Sequence, residues 1–248
     1  MNNIESEMMD LSIVDELKEL LEGNQDTHAM WIAGSIAEGF ADEFSDVDLW
    51  VDIEAGKDKE IFDLIEKFLE SKGELDAKLG RSLEPPFTHR VYHLAGTNPY
   101  HFIEFTLHTH SDQYDPTEGS RTLKVLFDKD GTTEVRSPAN EKSDEEIQDR
   151  KQSLIDKIDV GYISVEKEIL RGQFMDAMHN YEFWLITPVI ELARIKHSPL
   201  KTSYGLKHGS RDLPKETQDE IQSLYTIESL EDLANKMEAV KKMVAKYS

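Results

Sequence analysis

Two aspartates, Asp46 and Asp48, stand two residues apart at the head of an apolar run, Val47-Asp48-Leu49-Trp50-Val51. On a strand, alternate side chains share a face, so both carboxylates can converge on one point while Val47, Leu49 and Val51 turn to a core. Neighbouring carboxylates repel unless a proton or a cation lies between them, and a hard divalent ion with oxygen ligands is the usual bridge. Eleven residues before Asp46, Gly34-Ser35 ends a second apolar run, Met30-Trp31-Ile32-Ala33. A glycine there lets the backbone approach a phosphate with no Cβ between them, and the serine adds a hydroxyl to the turn's N–H groups. In so acidic a chain the competing reading is a solvated acidic turn between two strands.

The ordered combination Gly34-Ser35, a polar turn through Glu38, Gly39 and Asp42, then Ser45-Asp46-Val47-Asp48 resembles the signature of the DNA polymerase beta-like nucleotidyltransferase superfamily. The resemblance implies transfer of a nucleoside monophosphate from a nucleoside triphosphate to an acceptor, with two Mg²⁺ ions. It implies that Asp46 and Asp48 are catalytic metal ligands and that Gly34, Ser35 and Ser45 lie against the nucleotide. A third carboxylate on a neighbouring strand is expected to complete the metal shell and take the acceptor's proton. Glu104, between Ile103 and Phe105, is the candidate. Glu38 departs from the pattern, because many relatives carry a basic residue there and a glutamate turned to a triphosphate would repel it.

Further along, Pro199-Leu200-Lys201-Thr202-Ser203-Tyr204-Gly205-Leu206-Lys207 and Arg211-Asp212-Leu213-Pro214 are similar to a segment of bacterial aminoglycoside and lincosamide adenylyltransferases. Those enzymes pair a catalytic domain with a helical substrate-binding domain. The likeness implies ATP as donor, a small hydroxyl-bearing acceptor and a role in antibiotic resistance. It also makes Lys201, Lys207 and Arg211 candidates for triphosphate contact, with a solvated basic loop as the alternative. Tyr181, Glu182 and Trp184 are candidates for the acceptor's surroundings, although aromatic residues at this spacing are more often core.

His108 and His110 share the parity of Glu104, with His89, His93 and His101 nearby. Their alternation could suggest a histidine metal site, but an oxygen-rich magnesium site explains the acids without them, so they read as polar rim residues beside the substrate. Asp128 and Asp130, followed by Gly131, read as a strand-to-strand turn, scaffold rather than ligands.

The elements that must position these groups follow from periodicity. Leu11–Leu21 has helical spacing and stops at Gly23; His28–Ala33 and Asp46–Ile53 read as strands; Lys59–Leu69 reads as a helix closed by Gly73. Leu75–Leu79 reads as a short edge strand, and His89–Leu94, His101–Thr109, Leu123–Phe127 and Thr133–Arg136 as further strands. After Pro138 nearly everything is helical: Asp144–Arg171, then Phe174–Ile195 with a kink or break at Pro188, a loop-rich Pro199–Leu213, a helix from Pro214 to Leu224, and Ile227–Tyr247. The expected fold class is α+β: a mixed β-sheet domain with flanking helices over residues 1–138, and an all-α bundle over 139–248.

The chain has 248 residues, no cysteine and a formal net charge of −22. The first figure suits one or two domains with real cores, and the second excludes disulfides, thiolate metal sites and thiol catalysis. The charge disfavours a nucleic-acid partner, since no basic stripe offsets it, and is compatible with a small cationic acceptor, with solubility or life in salt as the plainer reading of the same acidity. With neither a leader pattern nor a membrane-length apolar run, a cytoplasmic protein with no membrane association is expected. Two other readings stay open: a catalytically idle nucleotide-binding sensor, and a transferase acting on a protein. Intact acids weigh against the first, because a retired site has no need of a repelling pair.

Overall fold

Alternation settles the central strands. In the computed structural model β2 (Val47–Ile53) buries Val47, Leu49, Val51 and Ile53, and β5 (Ile103–Thr109) buries Ile103, Phe105 and Leu107 in the same apolar layer. The structure describes residues 9–82, 87–110, 122–131 and 143–248. The chain divides into two compact units, Met1–Ala139 and Asn140–Ser248. Thr133–Arg136 and Pro138 lie outside the described residues.

Among the described residues, the first unit contains a six-stranded mixed sheet. With β1 (Thr27–Ala33), β3 (Leu75–Ser82), β4 (Phe87–Leu94) and β6 (Lys124–Asp128), the strand order is β3-β4-β5-β2-β1-β6. β2 and β5 run parallel and every other pair is antiparallel. Helices α1 (Ser12–Glu22) and α3 (Asp58–Lys72) cover the apolar layer with Leu17, Leu21, Ile61, Phe62, Ile65 and Leu69. On the other side Trp31, Trp50, Phe87 and His108 form a row of rings, with successive centroids 6.1, 5.8 and 5.2 Å apart.

Two local details differ from expectation. Residues Gly34–Glu38, read as a polar turn, form a short helix, α2, closed by Gly39 in the left-handed region at φ +79°. Ile36 and Ala37 tolerate helical backbone, and a glycine at the C-terminal end supplies the usual stop. β3 continues past Leu79 to Ser82 because β4 pairs with it as far as Ser82↔Thr88. Its polar Lys78 and Arg81 conceal that extension from a periodicity argument.

The second unit begins with α4 (Asp144–Leu170), whose Ser143 and Glu146 form a reciprocal capping box. α5 (Phe174–Tyr181) passes through a π-helical turn, Glu182–Ile186, into α6 (Thr187–His197). Pro188 therefore neither breaks nor ends the helix. The ladder widens ahead of the residue that lacks an N–H, and Thr187 Oγ1 donates to the Glu182 carbonyl at 3.0 Å. Gly161 of α4 faces this turn: a Cβ there would lie 2.5 Å from Trp184 Cβ. Tyr181 is buried and donates to the Leu224 carbonyl at 3.2 Å. Tyr181 and Trp184 thus serve the packing of the helical unit, and Glu182 accepts from the Tyr225 hydroxyl at 3.0 Å.

Residues 199–213 wrap the buried Arg194, whose guanidinium donates to the Gly205 and Lys207 carbonyls, to Ser198 Oγ at 3.1 Å and to Asp212 Oδ2 at 3.3 Å. Lys201 and Arg211, candidates for phosphate contact, lie 3.8 and 3.1 Å from Asp212 Oδ1. Burial pushes the Asp212 carboxyl up, but hydrogen bonds from Arg211 and Arg194 and the charge of Lys201 outweigh it and hold the group below the usual carboxylate range. α7 (Gly209–Asp212), α8 (Lys215–Leu224) and α9 (Leu230–Tyr247) complete the bundle. Among the described residues no helix is long and apolar enough to cross a membrane.

Candidate active site

The edge of the sheet at which β1 ends is the edge at which β2 and β5 begin. Ala33, the last residue of β1, pairs with Asp48, and Asp48 pairs with Glu104 across the parallel β2–β5 ladder. Since Val47 and Leu49 on one strand and Ile103 and Phe105 on the other enter the core, Asp48 and Glu104 turn to the opposite face side by side. Asp46 immediately precedes β2, and both aspartates are half-buried. The sequence candidates Gly34, Ser35, Asp46, Asp48 and Glu104 are therefore collected at one strand edge.

Gly34 is fixed there by its neighbour. Its φ is +65°, and a Cβ built on it would lie 1.9 Å from Asp48 Oδ2. The carboxylate of Asp48 thus occupies the space that any other residue at position 34 would fill. Next to it, Ser35 Oγ is shielded from solvent and, among the described residues, has no hydrogen-bond partner. A buried hydroxyl left in this condition is destabilising unless something else meets it.

Ser45, expected against the nucleotide, is engaged locally. Its Oγ donates to Asp42 Oδ1 at 3.0 Å and accepts from the Asp42 N–H at 2.9 Å, closing the turn that leads into Asp46. The same turn is tied to the β4–β5 connection, because the Glu43 carbonyl lies 3.1 Å from His101 Nε2 and the Val47 N–H donates to the Phe102 carbonyl at 3.0 Å. His101 is thus a buried clamp that holds the acid-bearing loop in place.

Sequence reasoning did not single out His89 as a partner of Glu104. His89 on β4 pairs with Thr106, which puts it diagonal to Glu104, and its Nε2 lies 3.2 Å from Glu104 Oε2. Only strand register shows this neighbour. His108 and His110, read as rim residues near the substrate, are elsewhere. His108 pairs with Asp52, four residues along the ladder from the Asp48–Glu104 pair, or roughly 13 Å at 3.3 Å per residue. Parity was right for them and distance was not. Glu38 ends α2 and is half-buried.

The donor set suits a hard divalent ion: carboxylates only, on facing positions of two strands, next to a positive-φ glycine and an unmatched serine hydroxyl. Asp46, Asp48 and Glu104 are the residues that would hold Mg²⁺.

Residues 12–90 match the family model described as "Nucleotidyltransferase domain". That span contains Gly34, Ser35, Asp46 and Asp48, while Glu104 lies beyond it. No curated protein matches significantly. Among solved structures, an aminoglycoside 6-adenyltransferase from Bacillus subtilis is 15% identical over 98% of this chain and 88% of that one, with a TM-score of 0.37. A nucleotidyltransferase-like protein from Exiguobacterium sibiricum is 12% identical over 95% and 73%, with a TM-score of 0.38.

Proposed function

We propose that this chain, a nucleotidyltransferase by the domain it carries, moves AMP from ATP to a hydroxyl of a small cationic acceptor and releases pyrophosphate. The observation that carries the reading is the register of the central ladder, which puts Asp48 beside Glu104 and leaves Gly34 in contact with Asp48.

Each group has a task that its position suits. Gly34 leaves room for the donor's phosphates to approach the backbone, and Ser35 Oγ is a hydroxyl in want of a partner. Asp46 and Asp48 hold the divalent ions. Those ions, when bound, neutralise charge on the transferring and leaving phosphates. Glu104 accepts the proton of the acceptor hydroxyl, and His89 holds the Glu104 carboxylate in one orientation from the adjacent strand. The acceptor oxygen then bonds to the α-phosphorus as the bond from that phosphorus to the pyrophosphate oxygen breaks. No covalent intermediate with the protein is needed, so positioning and electrostatics supply the rate.

The net charge of −22 supports a cationic acceptor, of the aminoglycoside kind, over a nucleic acid. Resistance to such a compound is the biological role that this chemistry suits. The helical unit is read as the acceptor-binding part, and residues 1–138 as the catalytic part.

The test is pyrophosphate release with ATP, Mg²⁺ and a panel of aminoglycosides, using Asp46→Asn and Asp48→Asn. Losing a ligand that supplies several kcal/mol of transition-state stabilisation lowers kcat by at least about 10²-fold. Circular dichroism of both variants should match the parent. Turnover at the parental rate in either variant rejects the assignment, and tight ATP binding with no turnover on any acceptor favours the sensor.

A further inference from the structure

The opposite edge of the sheet carries a second group of metal-competent side chains that the transfer reaction does not use. His28 near the start of β1, His110 just past β5 and Asp130 just past β6 each offer one ligand atom, all within 4.8 Å of one another. His28 Nδ1 lies 2.7 Å from Asp130 Oδ2, and the His28 and His110 rings stack with centroids 3.9 Å apart.

Each histidine also has a carboxylate near its other nitrogen, hydrogen-bonded in His110 and at ion-pair distance in His28. His110 Nδ1 lies 2.6 Å from Oδ2 of Asp52, a carboxylate nearly out of solvent that also meets His108 Nδ1 at 3.2 Å. An ionised carboxylate can only accept, so Nδ1 of His110 carries the proton and its lone pair is on Nε2. His28 Nδ1, 2.7 Å from Asp130 Oδ2, carries the proton and donates it to that carboxylate, while Nε2 lies 3.4 Å from Glu54 Oε2, within ion-pair reach; an ion bound between Nδ1 and Asp130 would replace the Nδ1 proton. A histidine whose non-ligating N–H is held by a carboxylate is the usual arrangement behind a metal ligand. Three carboxylates, Asp52, Glu54 and Asp130, gather around these rings, and a divalent cation would offset their charge.

We propose that His28 Nδ1, His110 Nε2 and Asp130 form a site for a borderline divalent ion of the zinc class, with water in the fourth position. Two imidazoles and one carboxylate favour Zn²⁺ over Mg²⁺, which takes oxygen ligands. Ligand atoms of a tetrahedral zinc site are roughly 3.3 Å apart given bonds of about 2.0–2.1 Å, so the stacked His28 and His110 rings would have to turn towards the ion for their in-plane lone pairs to converge on it. The ion ties β1, β5 and β6 together at an edge where β2 alone lies between β1 and β5. It is independent of the transfer reaction and of the acids proposed for it.

The experiment is calorimetric titration of the full chain with Zn²⁺ in excess Mg²⁺, which occupies oxygen-only sites. One Zn²⁺ per chain is expected. His28→Ala and His110→Ala should each weaken binding at least about 10²-fold, Asp52→Asn by about 10–100-fold as a partner of a ligand, and Asp46→Asn not at all. Zinc binding that survives both histidine substitutions, or that disappears with Asp46→Asn, overturns the proposal, as does no binding to the parent chain. Should a histidine variant fail to fold, imidazole ¹⁵N spectra of the unaltered chain decide. Zn²⁺ must shift His110 Nε2 and His28 Nδ1, and unmoved resonances reject the site.

Discussion

Position 34 requires glycine for two separate reasons. The backbone sits at φ +65°, where an L side chain costs about 1–2 kcal/mol, and the missing Cβ is replaced by the carboxylate of Asp48. Gly34→Ala therefore does more than strain a turn, because the methyl group displaces Asp48 Oδ2 from its place at the strand edge. Stability should fall by roughly the backbone cost, while kcat for pyrophosphate release should fall about 10²-fold, the usual penalty for moving a reacting group by about 1 Å. Parallel denaturant and kinetic measurements check this, and a kcat loss no larger than a tenfold effect would separate Gly34 from the placement of Asp48. The residue types themselves were legible in the sequence, because Gly34-Ser35 and Asp46-Val47-Asp48 are local patterns. The contact between Gly34 and Asp48, and that between His89 and Glu104, were not legible, because both depend on which residue faces which across a ladder. Ser45 shows the converse. A serine before the acids fits the motif, yet its hydroxyl is occupied by Asp42, a partner that no spacing rule names.

At the scale of elements, periodicity found the strands whose alternation is strong and shortened β3, where the exposed Lys78 interrupts the apolar pattern. It expected a kink or a break at Pro188; the helix does not break, because a π-turn absorbs the missing N–H and lets α5 run on into α6. That turn brings Trp184 against α4, where Gly161 is the residue that lets it in. In an exposed helix Gly→Ala would stabilise by about 1 kcal/mol through propensity alone. Here the added methyl would sit 2.5 Å from Trp184 Cβ, 2.9 Å from Leu185 Cδ2 and 3.1 Å from the Trp184 carbonyl, so a backbone and a core side chain must both give way. Overpacking of this kind costs roughly 1–3 kcal/mol and outweighs the propensity gain. Gly161→Ala should therefore lower the thermal midpoint. A raised midpoint would mean that α4 and the π-turn approach less closely than the structure has them.

For the whole molecule, the dominant quantity is charge. Fifty acidic against 28 basic residues give −22, a field that draws cations towards the protein and repels a nucleoside triphosphate. An enzyme that joins an anionic donor to a cationic acceptor within such a field must feel salt with opposite sign for its two substrates. Raising ionic strength from about 0.01 M to 0.15 M shortens the Debye length from about 30 Å to about 8 Å, which removes most of the long-range term while leaving close contacts nearly intact. For a polycationic acceptor kcat/KM should fall by about tenfold or more over that range, the lower end of what electrostatic steering supplies. For ATP it should rise or stay level, since screening relieves repulsion, and for an uncharged polyol acceptor it should not change. Measuring all three with Mg²⁺ held constant separates the field from any effect on the ion. Equal responses for the cationic and uncharged acceptors would show that the protein's charge has no part in acceptor choice, and would remove the physical ground for preferring a cation.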